Sequence, residues 1–156
     1  MSQTSSPKQK TNSSPLETQR KREVDVLART LYGEARGESR SGKEAVACVI
    51  MNRVKRAQSR GNYWWGNSVE SVCQKPWQFS CWNENDPNLE KILAMTSGHR
   101  VFDTCLRIAR RAISGCLDDA TQGATHYHNL NINPPWSRGR PACVEIGHHL
   151  FYNDIE

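Results

Sequence analysis

Residues 27 to 39, Leu27-Ala-Arg-Thr-Leu-Tyr-Gly-Glu-Ala-Arg-Gly-Glu-Ser39 (LARTLYGEARGES), begin as an amphipathic helix and then set Glu34 and Glu38 among Gly33 and Gly37. Val24, Leu27, Ala28 and Leu31 recur at helical spacing, and the two glycines mark where that helix weakens. Glu34 therefore falls at or near a helix end. Just downstream, Ser41-Gly-Lys-Glu44 has the spacing of a capping box, opening a second helix. Ala45, Val46, Val49, Ile50 and Val54 form its apolar face, and Arg53, Lys55 and Arg56 suit the negative end of its dipole. Two successive helices with matched apolar faces predict a helical core.

Residues 57 to 85 read as a loop loaded with aromatics: Tyr63, Trp64, Trp65, Trp77, Phe79 and Trp82. Asp86-Pro87 predicts a third helix, with an N-cap followed by proline at the first helical position. A fourth is expected from about Val101 to Ile113, ended by Gly115. Beyond it come short segments, Ala124 to Asn129 and Val144 to Tyr152, separated by Asn133-Pro134-Pro135, which predict a small strand pair. The expected fold class is α+β, a mostly helical single domain with a small β element near the C-terminus. No internal repeat is visible.

At 156 residues the chain fits one domain able to bury a real core. Residues 1 to 22 are poor in apolar side chains and read as a flexible basic tail, leaving 23 to 156 as the folded domain. The tail holds Lys8, Lys10, Arg20, Lys21 and Arg22 against Glu17, so it carries most of the net charge of +5. A nearly neutral folded part argues against a nucleic-acid partner. A solvated tail without a partner is the plainest reading, and attraction to an anionic wall or membrane surface is the other. No apolar run approaches the ~20 residues of a membrane span, and the N-terminus lacks the apolar stretch of a signal peptide. The chain reads as a soluble monomer without a leader of its own.

Six cysteines allow a disulfide framework. Cys73 and Cys81 flank a short loop and form the expected pair. Cys105 and Cys116 would lie about 16 Å apart along a continuous helix, too far to bridge. Cys48 sits within an apolar helical run and reads as a buried free thiol.

A carboxylic acid serves as a general acid near neutral pH only where a restricted, partly apolar setting raises its pKa. Leu31 and Tyr32 give Glu34 such neighbours, although a Glu between glycines is more commonly a solvated helix-end charge. Glu38 would share a face with Glu34 if the helix continued through Gly37, against the plainer reading of an exposed acid paired with Arg36 or Arg40. Glu44 belongs to the capping box, and Asp118 and Asp119 look like turn acids. Sugar rings stack their C–H faces on aromatics, so Trp64, Trp65, Trp77, Phe79 and Trp82 suit a glycan groove, with core packing as the alternative for each. His126-x-His128, with His148, His149 and Cys143, suggests zinc, but the spacing matches no standard zinc pattern.

LARTLYGEARGES followed by GKEAVACVIMNRVK resembles the opening of the cell-wall hydrolase family that includes the spore cortex-lytic enzymes. Gln78-Phe79-Ser80-Cys81-Trp82 resembles its QFSCW element, Ala124-Thr125-His126-Tyr127-His128 stands in the place of its small-residue and aromatic strand, and Ile146-Gly147-His148-His149-Leu150-Phe151 is similar to its closing segment. Together these landmarks cover about residues 24 to 152. The family often carries paired tyrosines where this chain has His126-Tyr127-His128.

The resemblance implies a lysozyme-like catalytic domain that cuts the β-1,4 bond between N-acetylmuramic acid and N-acetylglucosamine in peptidoglycan, as a muramidase or a lytic transglycosylase, with no cofactor and no metal. Glu34 takes the place of its catalytic glutamate. Glu38, Gln78, Phe79, Trp82, Tyr127 and His128 are the candidate substrate-binding residues, with the cleft-facing side of the strand left open. Peptidoglycan strands are the expected partner, the bacterial wall the expected place of action, and a phage or prophage endolysin the expected setting. A zinc amidase or peptidase built on the C-terminal histidines, and a non-catalytic wall-binding protein, are the alternatives.

Overall fold

A computed structural model describes residues 14–156, and the first thirteen residues of the expected tail lie outside them. Helix α1 runs Pro15–Ala35, α2 Arg40–Ser59, α3 Val69–Gln74, α4 Pro87–Ala94 and α5 Arg100–Ile113, with 3-10 turns at Ser80–Trp82 and Pro135–Ser137. Strands β1 (His126–Asn129), β2 (Val144–Ile146) and β3 (His149–Tyr152) form one antiparallel sheet in the order β1-β3-β2. The architecture is the mostly helical α+β fold expected, with three short strands in place of a pair. Gly147 splits the expected long strand: it starts a two-residue hairpin loop with φ 58, where a type II′ turn wants glycine.

Helix α1 starts at Pro15, so residues 15–22, expected as flexible tail, are helical instead. Ser14 caps the N-terminus by accepting from the Glu17 N–H, proline occupies the first turn, and Glu17 sits at the positive end of the dipole. Tertiary contacts hold this exposed stretch, with Arg20 bonded to Ser114 at 2.5 Å and Arg22 paired with Glu70 at 3.2 Å. Composition alone cannot see such partners.

The start of α2 also differs from expectation. Ser39, not Ser41, is the N-cap, accepting from the Gly42 N–H at 3.2 Å. Glu44 is thereby freed from the capping box and pairs with Arg40 and Arg111. Helix α3 lies inside the expected loop; its reciprocal Ser68–Ser71 cap makes it, and six residues are too few to show a helical period. Asp86 caps α4 as expected, accepting from Asn88.

Leu27, Ala28 and Leu31 of α1 are completely buried against Val46 and Ile50 of α2, Phe102, Cys105 and Ile108 of α5, and Ile92 of α4. Removing a side chain such as Leu31 from this core would cost about 2–5 kcal/mol. A smaller cluster of Ala45, Val49, Ala124 and Phe151 fastens the sheet to α2, and Tyr127 touches both clusters. All six cysteines are free, so the expected Cys73–Cys81 bridge is absent. The Cys81 side chain lies over Gly33 instead. Cys48 is a buried thiol, as expected. Among the described residues no helix is long and apolar enough to cross a membrane.

Candidate active site

Glu34 is the penultimate residue of α1, so its side chain rides on the half of the helix that packs into the core. Two remote segments converge on its carboxylate. The Cys81 N–H lies 3.5 Å from Oε1, a long contact, and the Tyr127 hydroxyl donates to Oε2 at 3.3 Å. Burial pushes the Glu34 pKa up, Cys81 and Tyr127 bonds oppose the rise, and the negative charge of Asp86 adds to it. The balance is an acid that holds its proton to higher pH than an ordinary glutamate, the property required of a general acid.

Gly33 makes this contact possible. A Cβ there would lie 2.6 Å from Cys81 Cβ and 2.7 Å from its Sγ, distances real side chains do not tolerate. The glycine admits Cys81 beside the carboxylate. Burial, then the charge of Glu34, drive the Cys81 thiol far above its ordinary pKa, so it remains protonated and able to donate to Glu34.

Glu38 is not the exposed partner of Arg36 or Arg40. Its side chain is 7% exposed, and both oxygens are engaged by His148 of the β2–β3 hairpin, through its N–H at 2.9 Å and its Nδ1 at 2.8 Å; His149 Nδ1 lies 3.2 Å away without making a hydrogen bond. Burial alone would raise its pKa, but the His148 bonds and the two imidazoles outweigh it and hold the carboxyl below its ordinary value. Arg36 turns instead to Asn88, and Arg40 to Glu44. Glu34, Glu38, Asn129, His148 and His149 line one small pocket.

The remaining expected site residues divide. Tyr127 faces Glu34, and the two-residue alternation of β1 puts Asn129 on the same side. His128 therefore points away. It is buried, bonded to the Tyr152 hydroxyl at 2.8 Å and stacked on that ring, which removes it from the pocket. Phe79 is also withdrawn: it is 2% exposed and lies under the Arg53 guanidinium, a core residue. Gln78 accepts from the same guanidinium at 3.4 Å. Trp82 is half-buried, its indole N–H donating to Thr30 at 2.9 Å, and it lines a groove with Trp77, Asn83 and Asp86. Trp65 is fully buried, whereas Trp64 and Trp77 are exposed.

Of the side chains the zinc alternative requires, only His148 and His149 meet, at Glu38; His126, His128 and Cys143 are engaged elsewhere. His126 packs against Trp65 and Trp136, its pKa pushed down to about 4 by burial and then by Arg53 and Arg56. Cys143 bonds the Thr121 and Phe151 carbonyls. Glu38, His148 and His149 meet in a contact hydrogen-bonded through His148, and among the described residues no group of three His, Cys, Asp or Glu side chains is placed to hold a metal ion.

Asn129 and the Glu38–histidine clamp are not legible in the sequence. Alternation outward from Tyr127 points to Asn129 once the facing side is known, but nothing local joins Glu38 to side chains 110 positions away.

The pattern of the family described as Cell Wall Hydrolase matches residues 37–152, beginning just after Glu34. The spore cortex-lytic enzyme of Halalkalibacterium halodurans is 32% identical over 134 residues, covering 84% of this chain and 34% of that protein. The Bacillus subtilis spore cortex-lytic enzyme is 30% identical over 132 residues, 83% of this chain and 37% of that protein. The chain thus spans little more than a third of the length of these curated relatives. The crystal structure of the catalytic domain of Bacillus cereus SleB superposes with a TM-score of 0.64 at 30% identity, covering 84% of this chain and 89% of that one. The catalytic domain of the germination-specific lytic transglycosylase SleB from Bacillus anthracis gives 0.63 at 28% identity, covering 90% and 97%.

Proposed function

The chain belongs to the cell wall hydrolase family, and we propose that it cleaves the β-1,4 bond between N-acetylmuramic acid and N-acetylglucosamine in peptidoglycan, acting as a lytic transglycosylase with Glu34 as acid and base. One observation carries this reading: the pocket holds two carboxylates in opposite states. Glu34 is desolvated with its pKa raised, while Glu38 is held ionised with both oxygens occupied by the hairpin. Inverting hydrolysis by water needs a second carboxylate free to act as base. Glu38 is committed elsewhere.

Protonated Glu34 gives its proton to the glycosidic oxygen as the C1–O bond breaks and the muramic ring gains oxocarbenium character. The Glu34 carboxylate then takes the proton of the muramic 6-hydroxyl as that oxygen bonds to C1, closing a 1,6-anhydro ring and restoring the acid. No water is consumed and no second carboxylate is required. The Tyr127 hydroxyl stabilises the carboxylate that exists between the two proton transfers.

Digestion of purified peptidoglycan followed by mass spectrometry tests the proposal. The expected products carry 1,6-anhydromuramic ends; reducing muramic ends would make the enzyme a hydrolase, and no new glycan ends would leave only binding. Glu34→Gln is expected to remain folded and lose about 100-fold or more in rate. Full activity in that variant would remove Glu34 from the mechanism.

A further inference from the structure

We propose that Trp77 is a sugar-stacking platform that binds glycan units at a distance from the bond being cut, an inference that rests on the peptidoglycan-cleaving reading above. Trp77 is 82% exposed, the most exposed of the large apolar side chains among the described residues. Its backbone is also costly. The Gln78 N–H bonds the Lys75 carbonyl at 3.1 Å, Pro76 is the first central residue of the turn, and Trp77 is the second with φ 69. That is the type II arrangement, whose second central position favours glycine or asparagine. A bulky aromatic there is an outlier, and such strain collects where a side chain must be presented. Core packing does not account for the indole, because it faces solvent.

The surroundings match a carbohydrate. Trp77 shares its groove with Trp82, Gln74, Asn83 and Asp86. Two indoles offer flat faces to sugar C–H bonds, and amide and carboxylate groups beside them suit hydroxyl and N-acetyl groups. The ionisable groups lining the groove, Glu84 and Asp86, are acids, which disfavours a polyphosphate occupant. The groove is a cavity separate from the Glu34 pocket, and the two are linked through the chain that lines the groove. Trp82 follows Cys81, whose N–H meets Glu34, and the Asp86 charge acts on Glu34. Trp82 is anchored to α1 through Thr30. A glycan seated on Trp77 and Trp82 would therefore lie beside the segment that meets Glu34 without entering the Glu34 pocket.

The test uses long, peptide-free strands of alternating N-acetylglucosamine and N-acetylmuramic acid. Their affinity is measured on Glu34→Gln with and without Trp77→Ala, and kcat on the otherwise unaltered enzyme carrying Trp77→Ala. Expected are roughly tenfold weaker binding, the size of one well-packed aromatic contact, an unchanged kcat, and recovery of most of the affinity in Trp77→Phe. Trp77→Gly is expected to melt no lower than the parent, because glycine relaxes the turn. Unchanged affinity in Trp77→Ala, a fall in kcat at constant affinity, Trp77→Phe as weak as Trp77→Ala, or a lower melting point for Trp77→Gly would each overturn the inference. A parent enzyme that releases no glycan ends would instead defeat the peptidoglycan-cleaving reading itself.

Discussion

At the scale of single residues, the pocket depends on how Glu34 is solvated and by whom. Its raised pKa comes first from burial, and the Tyr127 hydroxyl is one of the bonds restraining the rise. Tyr127→Phe removes a donor to the carboxylate, so the Glu34 pKa should climb further. Activity that requires protonated Glu34 should then fall at a higher pH on the alkaline side, while kcat drops roughly tenfold through the lost bond, worth ~1 kcal/mol or somewhat more. Profiles of kcat/KM against pH for parent and variant check both effects; an alkaline limb moving to lower pH would contradict them. The importance of Glu34 is legible from the family-like motif around it, not from its place between Gly33 and Gly37 alone. The role of Gly33 is not: it makes room for Cys81, a residue nearly fifty positions on.

At the scale of elements, the α1–α2 connection and the β2–β3 hairpin are joined by Glu38. Gly147 allows the approach, since a Cβ there would sit 3.0 Å from a Glu38 oxygen and its φ of 58 is itself unfavourable for other residues. The folded Glu38 releases its proton more readily than the unfolded one. Its stabilising effect is therefore present above the ordinary value of 4.5 and is lost as pH falls through the lower folded pKa. Glu38→Gln should cost about 1–3 kcal/mol at pH 7, from charge-assisted bonds made by a nearly buried carboxylate. The difference from the parent should shrink at an acid pH below the ordinary value of 4.5. Denaturant titrations at the two pH values measure it, and equal stability at pH 7 would show the clamp to be idle. The pattern of helices was readable because α1, α2 and α5 are long enough to display their period. Helix α3 and the hairpin were missed because a serine cap and one glycine, rather than any periodicity, define them.

For the whole molecule, stability comes from a core around α1 rather than from covalent links. Leu27, Ala28 and Leu31 are buried by α2, α4 and α5 together, and Arg29 of α1 reaches the Ile92 and Met95 carbonyls at the end of α4. All six cysteines are free, and burial raises the pKa of Cys48 and of Cys73 to about 12, which keeps both as unreactive thiols. Thiol titration of the denatured chain should find six free groups, and melting temperatures with and without reductant should coincide. A lower melting point in reductant would reveal a bridge that this packing does not contain.

By itself the sequence determined the helical core, the small C-terminal sheet and the family, because these depend on periodic apolar spacing, caps and short motifs that neighbouring residues write together. It also pointed to Glu34, and named Tyr127 as one of six substrate-binding candidates. Only the tertiary structure decided that Tyr127 rather than His128 faces the acid, that Phe79 is core, and that Glu38 is held by His148. Strand facing depends on which side of the sheet meets α2, and the state of a carboxylate depends on groups that folding brings from more than a hundred residues away. Neither quantity is local, so neither is written in the spacing of adjacent residues.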